Sequence, residues 1–446
     1  MNLPLFRSAS RALRYLLAAA VSLTALQAHA LPSFARQTGQ DCGACHIGSF
    51  GPQLTPYGQR FKLGGYTDGD NRTLALSAML VGQFTQTAKD QSEAPAKHFD
   101  TNDNAAIQEV SAFLGGGLTD HLGSFAQVTY SGIDRKAAWD NLDVRYARPL
   151  TFQGKDLITG LSLNNNPGVQ DPFNTLPVWG FPYLGSDLAP EGAPAAPLLA
   201  GGLETQVLGA NAFAFFDDRW YAELGGYRSL GHSTLDALGV PAEDIVKASG
   251  ISPYLRLAYT RDVHAQSMSV GMVGMSSNLE VDDTGRTDRY RDVGVDASYQ
   301  YLGTRRNIFT VNALALHESQ SLSGSRAVGD AEHSNLSLNS YNLNAAYYYH
   351  QHYGVTAGYF ATNGDADAGL YADSSSNRPD TRGETLQLDY TPFGSESSWM
   401  APNVNLRLGL QFTRYDRYAG GADNYDGSGR GATDNNTLLA FVWAAL

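Results

Sequence analysis

The chain is poor in cysteine, in charged residues and in long apolar runs. Its 446 residues include only 2 Cys, and 17% of them are charged. Outside the N-terminus no apolar run approaches the roughly 18 residues of a membrane-spanning helix, which excludes a helical membrane protein. The net charge of -13 argues against a nucleic-acid partner, because nucleic acid selects a basic face.

Glycine and tyrosine are abundant instead, with 47 Gly and 24 Tyr. Together with many Asn, Ser and Thr residues and few Lys residues, this composition is unusual for a soluble enzyme. It is typical of a β-protein with wet interior surfaces and long polar loops.

Residues 1–30 have the pattern of a secretory signal peptide. A basic start is followed by an apolar stretch from Leu16 to Leu26 and by the small-residue cleavage pattern Ala28-His29-Ala30. We therefore expect export from the cytoplasm and a mature chain that begins at Leu31. The alternative, a retained membrane anchor, would need a longer apolar run.

Both cysteines lie in one motif, Cys42-Gly43-Ala44-Cys45-His46. C-x-x-C-H is the attachment signature of c-type haem. Thiols at this spacing reach the two vinyl groups of one porphyrin, and the adjacent His presents a ring nitrogen to the iron. We predict one covalent haem c, anchored by Cys42 and Cys45, with His46 as axial ligand. The alternative, a C-x-x-C redox disulfide, normally accompanies a βαβ pattern, which this sequence lacks.

The haem c segment, predicted to comprise residues 31–66, is too short for an independent core, since it has only about 36 residues. It contains no Met, so a distal iron ligand must come from elsewhere in the chain or from a partner, unless the position stays open. Two side chains with predicted inward orientation are candidates: Met79 on the first predicted strand and His350 at the end of the twelfth. A lone inward Met or His is more often ordinary lining of a lumen, and an open or partner-supplied position is favoured over either residue.

Alternation of apolar and polar residues with period two runs from residue 74 to the C-terminus and predicts strands with two different faces. Leu386, Leu388 and Tyr390, for example, alternate with Gln387 and Asp389. The predicted strands are 74–86, 106–118, 122–132, 139–150, 156–164, 205–216, 220–227, 253–262, 265–275, 288–301, 307–317, 338–350, 353–363, 381–391, 402–416 and 434–446.

The strand count and the connections favour a membrane barrel. The count is even, the strands are near the roughly 9–11 residues that a bilayer needs, and short connections mostly alternate with long polar ones. We predict an all-β fold: an outer-membrane antiparallel barrel of about 16 strands over residues 67–446. The haem c segment would then lie on the periplasmic side or in the barrel lumen. A soluble β-sandwich, with its apolar faces turned inward, is the alternative.

Two features of the predicted lumen concern its polarity and its closure. Charged residues on the inward faces are expected to make the lumen polar and to stiffen it by pairing across strands. They are Asp143, Arg145, Arg256, Asp296, Asp389 and Arg407.

The longest connection, residues 165–204, is the third on the outer side. It could fold into the lumen over the haem, or it could remain a solvated surface loop.

The N-terminal segment resembles the fused monohaem cytochrome–porin family, whose best-known members are outer-membrane iron(II) oxidases. The resemblance is carried by Pro32-Ser33-Phe34-Ala35-Arg36-Gln37-Thr38-Gly39, by Cys42-Gly43-Ala44-Cys45-His46 and by Pro52-Gln53-Leu54-Thr55-Pro56-Tyr57-Gly58. Phe61-Lys62-Leu63-Gly64-Gly65-Tyr66 then leads into the barrel, over which the similarity is one of pattern.

This resemblance implies electron transfer from an extracellular donor, with Fe(II) favoured, through the haem to a periplasmic c-type cytochrome or another acceptor. An Fe(II):cytochrome c oxidoreductase activity follows from the same resemblance, whereas contact with outer-membrane lipid follows from the barrel pattern. One alternative is a porin-like channel for small solutes in which the haem is structural or sensory. Another is a conduit for a different extracellular donor.

Overall fold

A computed structural model describes residues 33–69, 74–240, 245–281, 285–394, 398–400 and 404–446. The predicted signal peptide, residues 1–30, lies outside the described residues. No helix among the described residues is long and apolar enough to cross a membrane.

Sixteen antiparallel strands within the described residues form one closed barrel. They are β1 (Ala75–Thr87), β2 (Asn104–Gly117), β3 (Leu122–Ser131), β4 (Lys136–Phe152), β5 (Lys155–Asn164), β6 (Val207–Phe216), β7 (Trp220–Ser229), β8 (Ser252–Val263), β9 (Gln266–Glu280), β10 (Thr287–Tyr301), β11 (Asn307–Ser321), β12 (Asn335–Tyr349), β13 (Tyr353–Gly364), β14 (Thr381–Tyr390), β15 (Asn405–Arg417) and β16 (Thr437–Ala445). Every predicted strand is therefore present.

The barrel closes through β1 and β16, whose antiparallel register runs from Met79 opposite Ala445 to Thr87 opposite Thr437. Full closure leaves no sheet edge with unpaired backbone groups, which is the condition for strands to span lipid. Several strands extend beyond their predicted ends on the side of the long loops. The β9–β10 ladder, for example, continues to the pair Glu280 and Thr287, because backbone pairing persists where the side chains no longer alternate.

The apolar face of the sheet points outward. On β14, Leu386 and Leu388 are half exposed (49% and 50%), whereas the alternating residues Thr385 and Gln387 are buried. A soluble sandwich would bury the leucines and expose the polar residues, so the barrel prediction is confirmed and the sandwich is excluded.

Exposed aromatic pairs lie close to the short turns. The ring centroids of Trp220 and Tyr259 are 4.7 Å apart, and those of Tyr353 and Tyr390 are 5.2 Å apart. Aromatic girdles of this kind mark the interface between lipid and water. The short turns and both ends of the described chain share one end of the barrel, and most of the long loops lie at the other. This architecture defines an outer-membrane β-barrel.

The α-helices among the described residues are short and form no part of the sheet. They are α1 (Ser33–Thr38), α2 (Cys42–Cys45), α3 (Pro56–Leu63), α4 (His232–Ala237) and α5 (Ser323–Val328). The first three belong to the N-terminal segment, which packs inside the barrel. The other two are in outer loops.

Candidate functional site

The Cys-x-x-Cys-His motif forms one helical turn followed by an extended residue. Helix α2 carries both thiols, and His46 then adopts an extended conformation and pairs with Leu54 in an isolated β-bridge. The side chain of Thr55 caps α3 by accepting from the Gly58 N–H at 3.2 Å. The backbone N–H of Thr55 donates to the Cys45 carbonyl at 2.9 Å, so that α3 is tied directly to the motif.

Glycine is needed where α3 crosses the motif. A Cβ placed on Gly58 would overlap the carbonyl oxygen of Cys45. Because that oxygen is backbone, it cannot move aside like a flexible side chain. The close approach of the two helices therefore depends on Gly58.

The segment of residues 33–66 is anchored to the barrel wall on several sides. Ser49 donates to Gln351 Oε1 at 2.6 Å, and its carbonyl accepts from Asn405 Nδ2 at 2.6 Å. From another part of the wall, Gln300 Nε2 donates to the Leu54 carbonyl at 2.8 Å. These are buried bonds between residues far apart in sequence, and they place the segment within the lumen.

Cys42, Cys45 and His46 line one cavity of about 600 Å³ inside the barrel. This volume lies within the range of about 300–1,000 Å³ typical of ligand sites. Apolar side chains from three sources line it: Phe34, Phe50, Leu54 and Phe61 of the segment, Met79, Phe113, Phe125 and Trp443 of the wall, and Val178, Trp179 and Leu184 of the third outer loop.

The thiols and the imidazole are uncharged near neutral pH. The two cysteines are not disulfide-bonded to each other. Burial raises the pKa of both thiols, that of Cys45 to about 12. Burial lowers the pKa of His46 to about 4, and its Nδ1 is buried without a hydrogen-bond partner among the described residues. A neutral imidazole with an uncommitted nitrogen is suited to coordinate a metal.

The predicted distal-ligand candidates occupy different places. Met79 projects inward from β1 and lines the same cavity as His46. His350 does not line it; this residue is exposed in the turn between β12 and β13, and its ring lies 4.4 Å from the ring of Tyr349. The predicted inward orientation of His350 is wrong. It assumed that the alternation of β12 continues to residue 350, but the strand ends at Tyr349 and the chain reverses in the turn that follows.

The third outer loop, residues 165–204, folds into the lumen. Val169, Phe173, Leu176 and Leu203 are each at most 3% exposed. Of the two arrangements that the sequence allowed, the structure has the loop that folds into the lumen. These four residues are not part of a solvated surface loop.

Charged side chains of the wall are paired, as predicted. Arg145 lies 2.9 Å from Asp143, and Arg407 lies 4.0 Å from Asp389. Arg256 binds Asp296 and also approaches Asp171 of the third outer loop at 3.5 Å. All these side chains are at most 1% exposed, so the pairs are part of the packed interior and do not line an open aqueous channel.

Sequence reasoning did not single out Lys62 or its partners on the loop. Lys62 lines the cavity, is 5% exposed, and bonds to the carbonyl of Val169 at 2.6 Å and to Asn174 Oδ1 at 2.8 Å. The only signal in the sequence is a lysine among apolar residues on a short helix, and that pattern does not specify burial. Among the described residues, no group of three or more His, Cys, Asp or Glu side chains could hold a metal ion.

Solved outer-membrane proteins of low sequence identity are similar to this chain. The outer membrane channel DcaP of Acinetobacter baumannii has a TM-score of 0.48 at 11% identity, over 84% of this chain and 97% of that one. The anion-selective porin from Comamonas acidovorans has a TM-score of 0.47 at 13% identity, over 84% and 98% of the two chains. OprB of Pseudomonas putida has a TM-score of 0.48 at 10% identity, over 84% and 94%. No family model and no curated protein sequence matches the chain.

Proposed function

We propose that the protein is an outer-membrane electron conduit with one covalent haem c held by Cys42, Cys45 and His46. Electrons would pass from an extracellular donor, with Fe(II) favoured, to a periplasmic c-type cytochrome or another acceptor. The observation that carries the proposal is the convergence of both thiols and the imidazole on one largely apolar cavity in the barrel lumen. The haem would supply reversible one-electron chemistry at its iron.

The residues around the motif fit this cofactor. Free thiols are available for thioether bonds, and the unpartnered Nδ1 of His46 leaves one ring nitrogen uncommitted. Aromatic and aliphatic side chains would cover the porphyrin faces, since the cavity is lined mainly by apolar groups. An apolar surrounding also limits solvent access, which is one of the ways by which a protein sets the potential of haem iron.

The two segments inside the lumen support electron transfer over solute passage. Residues 33–66 enter it from the end with the short turns, and residues 165–204 enter it from the other. Electrons can cross packed protein, whereas a dissolved solute needs a continuous aqueous path.

Met79 is the proposed distal ligand, because it shares the cavity with His46 and His350 does not. Met79→Leu should abolish the charge-transfer band of Met-ligated ferric haem and lower the midpoint potential, since Met ligation raises it. Met268→Leu is the matched control, because Met268 is 41% exposed on the lipid-facing surface. An unchanged spectrum in Met79→Leu would contradict the assignment.

The cofactor is tested on the full-length chain expressed together with the haem-attachment machinery. After denaturing electrophoresis the wild type should retain a haem-stained band, and Cys42→Ala combined with Cys45→Ala should lose it. His46→Ala should change the absorption spectrum, and His350→Ala, an exposed His at the same end of the barrel, should not. A colourless wild-type protein would overturn the proposal.

The function is tested in lipid vesicles that contain the purified protein and enclose a soluble c-type cytochrome. Fe(II) added outside should reduce first the haem of the protein and then the enclosed cytochrome, without leakage of an enclosed small dye. Leakage without haem reduction would favour the alternative, a solute channel. Reduction by another donor but not by Fe(II) would favour a conduit with a different substrate.

A further inference from the structure

Lys62 lies between the cavity and the third outer loop. The side chain leaves α3, lines the cavity that contains Cys42, Cys45 and His46, and is 5% exposed. Its Nζ donates to two neutral acceptors, the Val169 carbonyl at 2.6 Å and Asn174 Oδ1 at 2.8 Å. None of the ion pairs between described residues includes Lys62.

The surroundings can accommodate both protonation states. A neutral amine has two N–H groups, and the two carbonyl acceptors satisfy both. An ammonium has three, and the ring of Trp179 lies 4.7 Å from Nζ, where its face can stabilise a cation. Neither form therefore leaves a costly unpaired donor.

The charges that face Lys62 come from the wall and from the loop. The strand β4 contributes Arg145 and Asp143, β7 contributes Glu223, and the third outer loop contributes Asp171. The other titratable groups that line the cavity, besides the motif itself, are Asp41, Tyr66, Glu109, Tyr183 and Asp187. Among the described residues that line the cavity, and apart from the motif, Lys62 is therefore the only side chain that can carry a positive charge.

We propose that Lys62 is a redox-linked proton acceptor, so that electron entry at the haem site is accompanied by proton uptake at the Lys62 amine. The inference rests on the proposed function, because it requires a haem in the cavity. One electron comes from the donor and one proton comes from solvent, which reaches the cavity beside the exposed residue Gln40. The N–H bond on Nζ is the only bond formed.

The direction of the effect follows from electrostatics. Burial, and after it the charge of Arg145, lowers the pKa of Lys62 to about 7, and the three carboxylates nearby act in the opposite direction. Entry of an electron removes one positive charge from the cavity and therefore raises the pKa of Lys62. Near neutral pH the reduced state binds more protons, so that the midpoint potential falls as pH rises.

The test is a spectroelectrochemical titration of the haem-loaded full-length protein, from about two pH units below to about two above the pKa of about 7. The wild-type potential should fall with a slope approaching about 59 mV per tenfold change in proton concentration, the value for one proton per electron. Lys62→Met should be independent of pH at a low potential. Lys62→Arg, which keeps the charge at every pH, should be independent of pH at a high potential.

Lys155→Met is the matched control, because Lys155 is exposed at the start of β5 and paired with Asp217 at 2.8 Å. It should retain the wild-type slope.

A wild-type potential without pH dependence would overturn the inference. A slope that persists in Lys62→Met would overturn it as well, because another group, such as a haem propionate, would then be titrating. If the variants do not fold, proton uptake by the wild type on reduction, followed with an indicator dye, tests the inference instead, and its absence would overturn it. A wild type without covalent haem would refute the proposed function itself.

Discussion

The two segments that fill the lumen are held there in different ways. Residues 33–66 contain three helices and attach to the wall through neutral hydrogen bonds and aromatic contacts, such as Phe50 against Trp443 with centroids 4.9 Å apart. Two guanidinium groups of the wall also donate to carbonyls of this segment, Arg145 to Lys62 and Arg407 to Gly48, both at 3.2 Å. Residues 165–204 have little regular structure, and carboxyl groups of the wall bind their backbone. The backbone N–H of Leu198 donates to Glu318 at 2.7 Å, and that of Leu199 donates to Asp292 at 2.7 Å.

This contrast shows what the buried charges of the wall do. A buried carboxylate is costly unless donors surround it, so the wall carboxylates fix the position of a loop that has few backbone bonds of its own. The N-terminal segment satisfies much of its backbone within its own helices and depends less on such groups. Loss of a wall charge that contacts the loop, such as Arg256, should therefore affect the loop first.

The largest expected effect is that of Arg256→Ala. It removes the buried partner of Asp296 and Asp171, and leaving such charges uncompensated costs about 3–5 kcal/mol in the free energy of unfolding. Urea unfolding in vesicles measures that loss, and limited proteolysis locates it. We expect cleavage within residues 165–204 before cleavage within residues 33–66.

The matched control is Arg289→Ala, because Arg289 is exposed on β10 and bonds only to Asn278 among the described residues, at 3.0 Å. It should leave the unfolding energy within about 0.5 kcal/mol of wild type. Earlier cleavage of the N-terminal segment in Arg256→Ala would mean that both segments depend on the same charges.

A smaller effect is expected for Tyr66→Phe, which tests the main charged contact of the N-terminal segment. The Tyr66 hydroxyl donates to Asp143 Oδ2 at 2.6 Å, and a bond to a charged group contributes about 1.5–3 kcal/mol. Asp143 keeps Ser162 and Arg145 as partners, which places the loss in urea unfolding at the lower end of that range. Tyr341→Phe, at a lipid-facing Tyr that is 44% exposed, should change nothing measurable. If Tyr66→Phe and Tyr341→Phe lower the free energy of unfolding equally, the hydrogen bond from Tyr66 to Asp143 is not the cause of the loss.

A loss comparable to that of Tyr66→Phe in the free energy of unfolding is expected for Gly58→Ala, which pushes α3 away from the motif. Overpacking costs about 1–3 kcal/mol, and the added Cβ meets backbone at Cys45. Under the proposed function the yield of covalent haem per polypeptide should fall as well, because Cys45 shifts. Gly82→Ala is the control, since a Cβ there has no neighbour within 4 Å. Full haem attachment in Gly58→Ala would show that the motif tolerates the shift.

The barrel was predictable from the sequence because lipid and lumen act on alternate residues of every strand. That rule fails where both faces are apolar, as in β16. There the structure turns Leu439, Phe441 and Trp443 inward, against Phe50 of the N-terminal segment. The sequence alternation could not decide between the two faces, since the apolar partner on the inner side comes from a distant part of the chain.

The candidate site was predictable only in its Cys-x-x-Cys-His motif. Cys42, Cys45 and His46 lie within five consecutive residues, so that a local pattern in the sequence is enough to find them. That Met79 shares their cavity and His350 does not depends on where β12 ends and on how far the segment enters the barrel. The position of Lys62 depends on the third outer loop as well, so no local pattern could indicate its burial.

The sequence by itself determined the strands, their inward and outward faces and the motif with two thiols and one imidazole, since each of these is set by neighbouring residues and by the surrounding solvent or lipid. Only the tertiary structure decided that the lumen is occupied from both ends, which side chains line the cavity beside the motif and which buried charges meet. The physical reason is distance along the chain: Lys62 and Asn174 are 112 residues apart, and Ser49 and Gln351 are 302 residues apart. Contacts of this kind exist only once the barrel has closed around them.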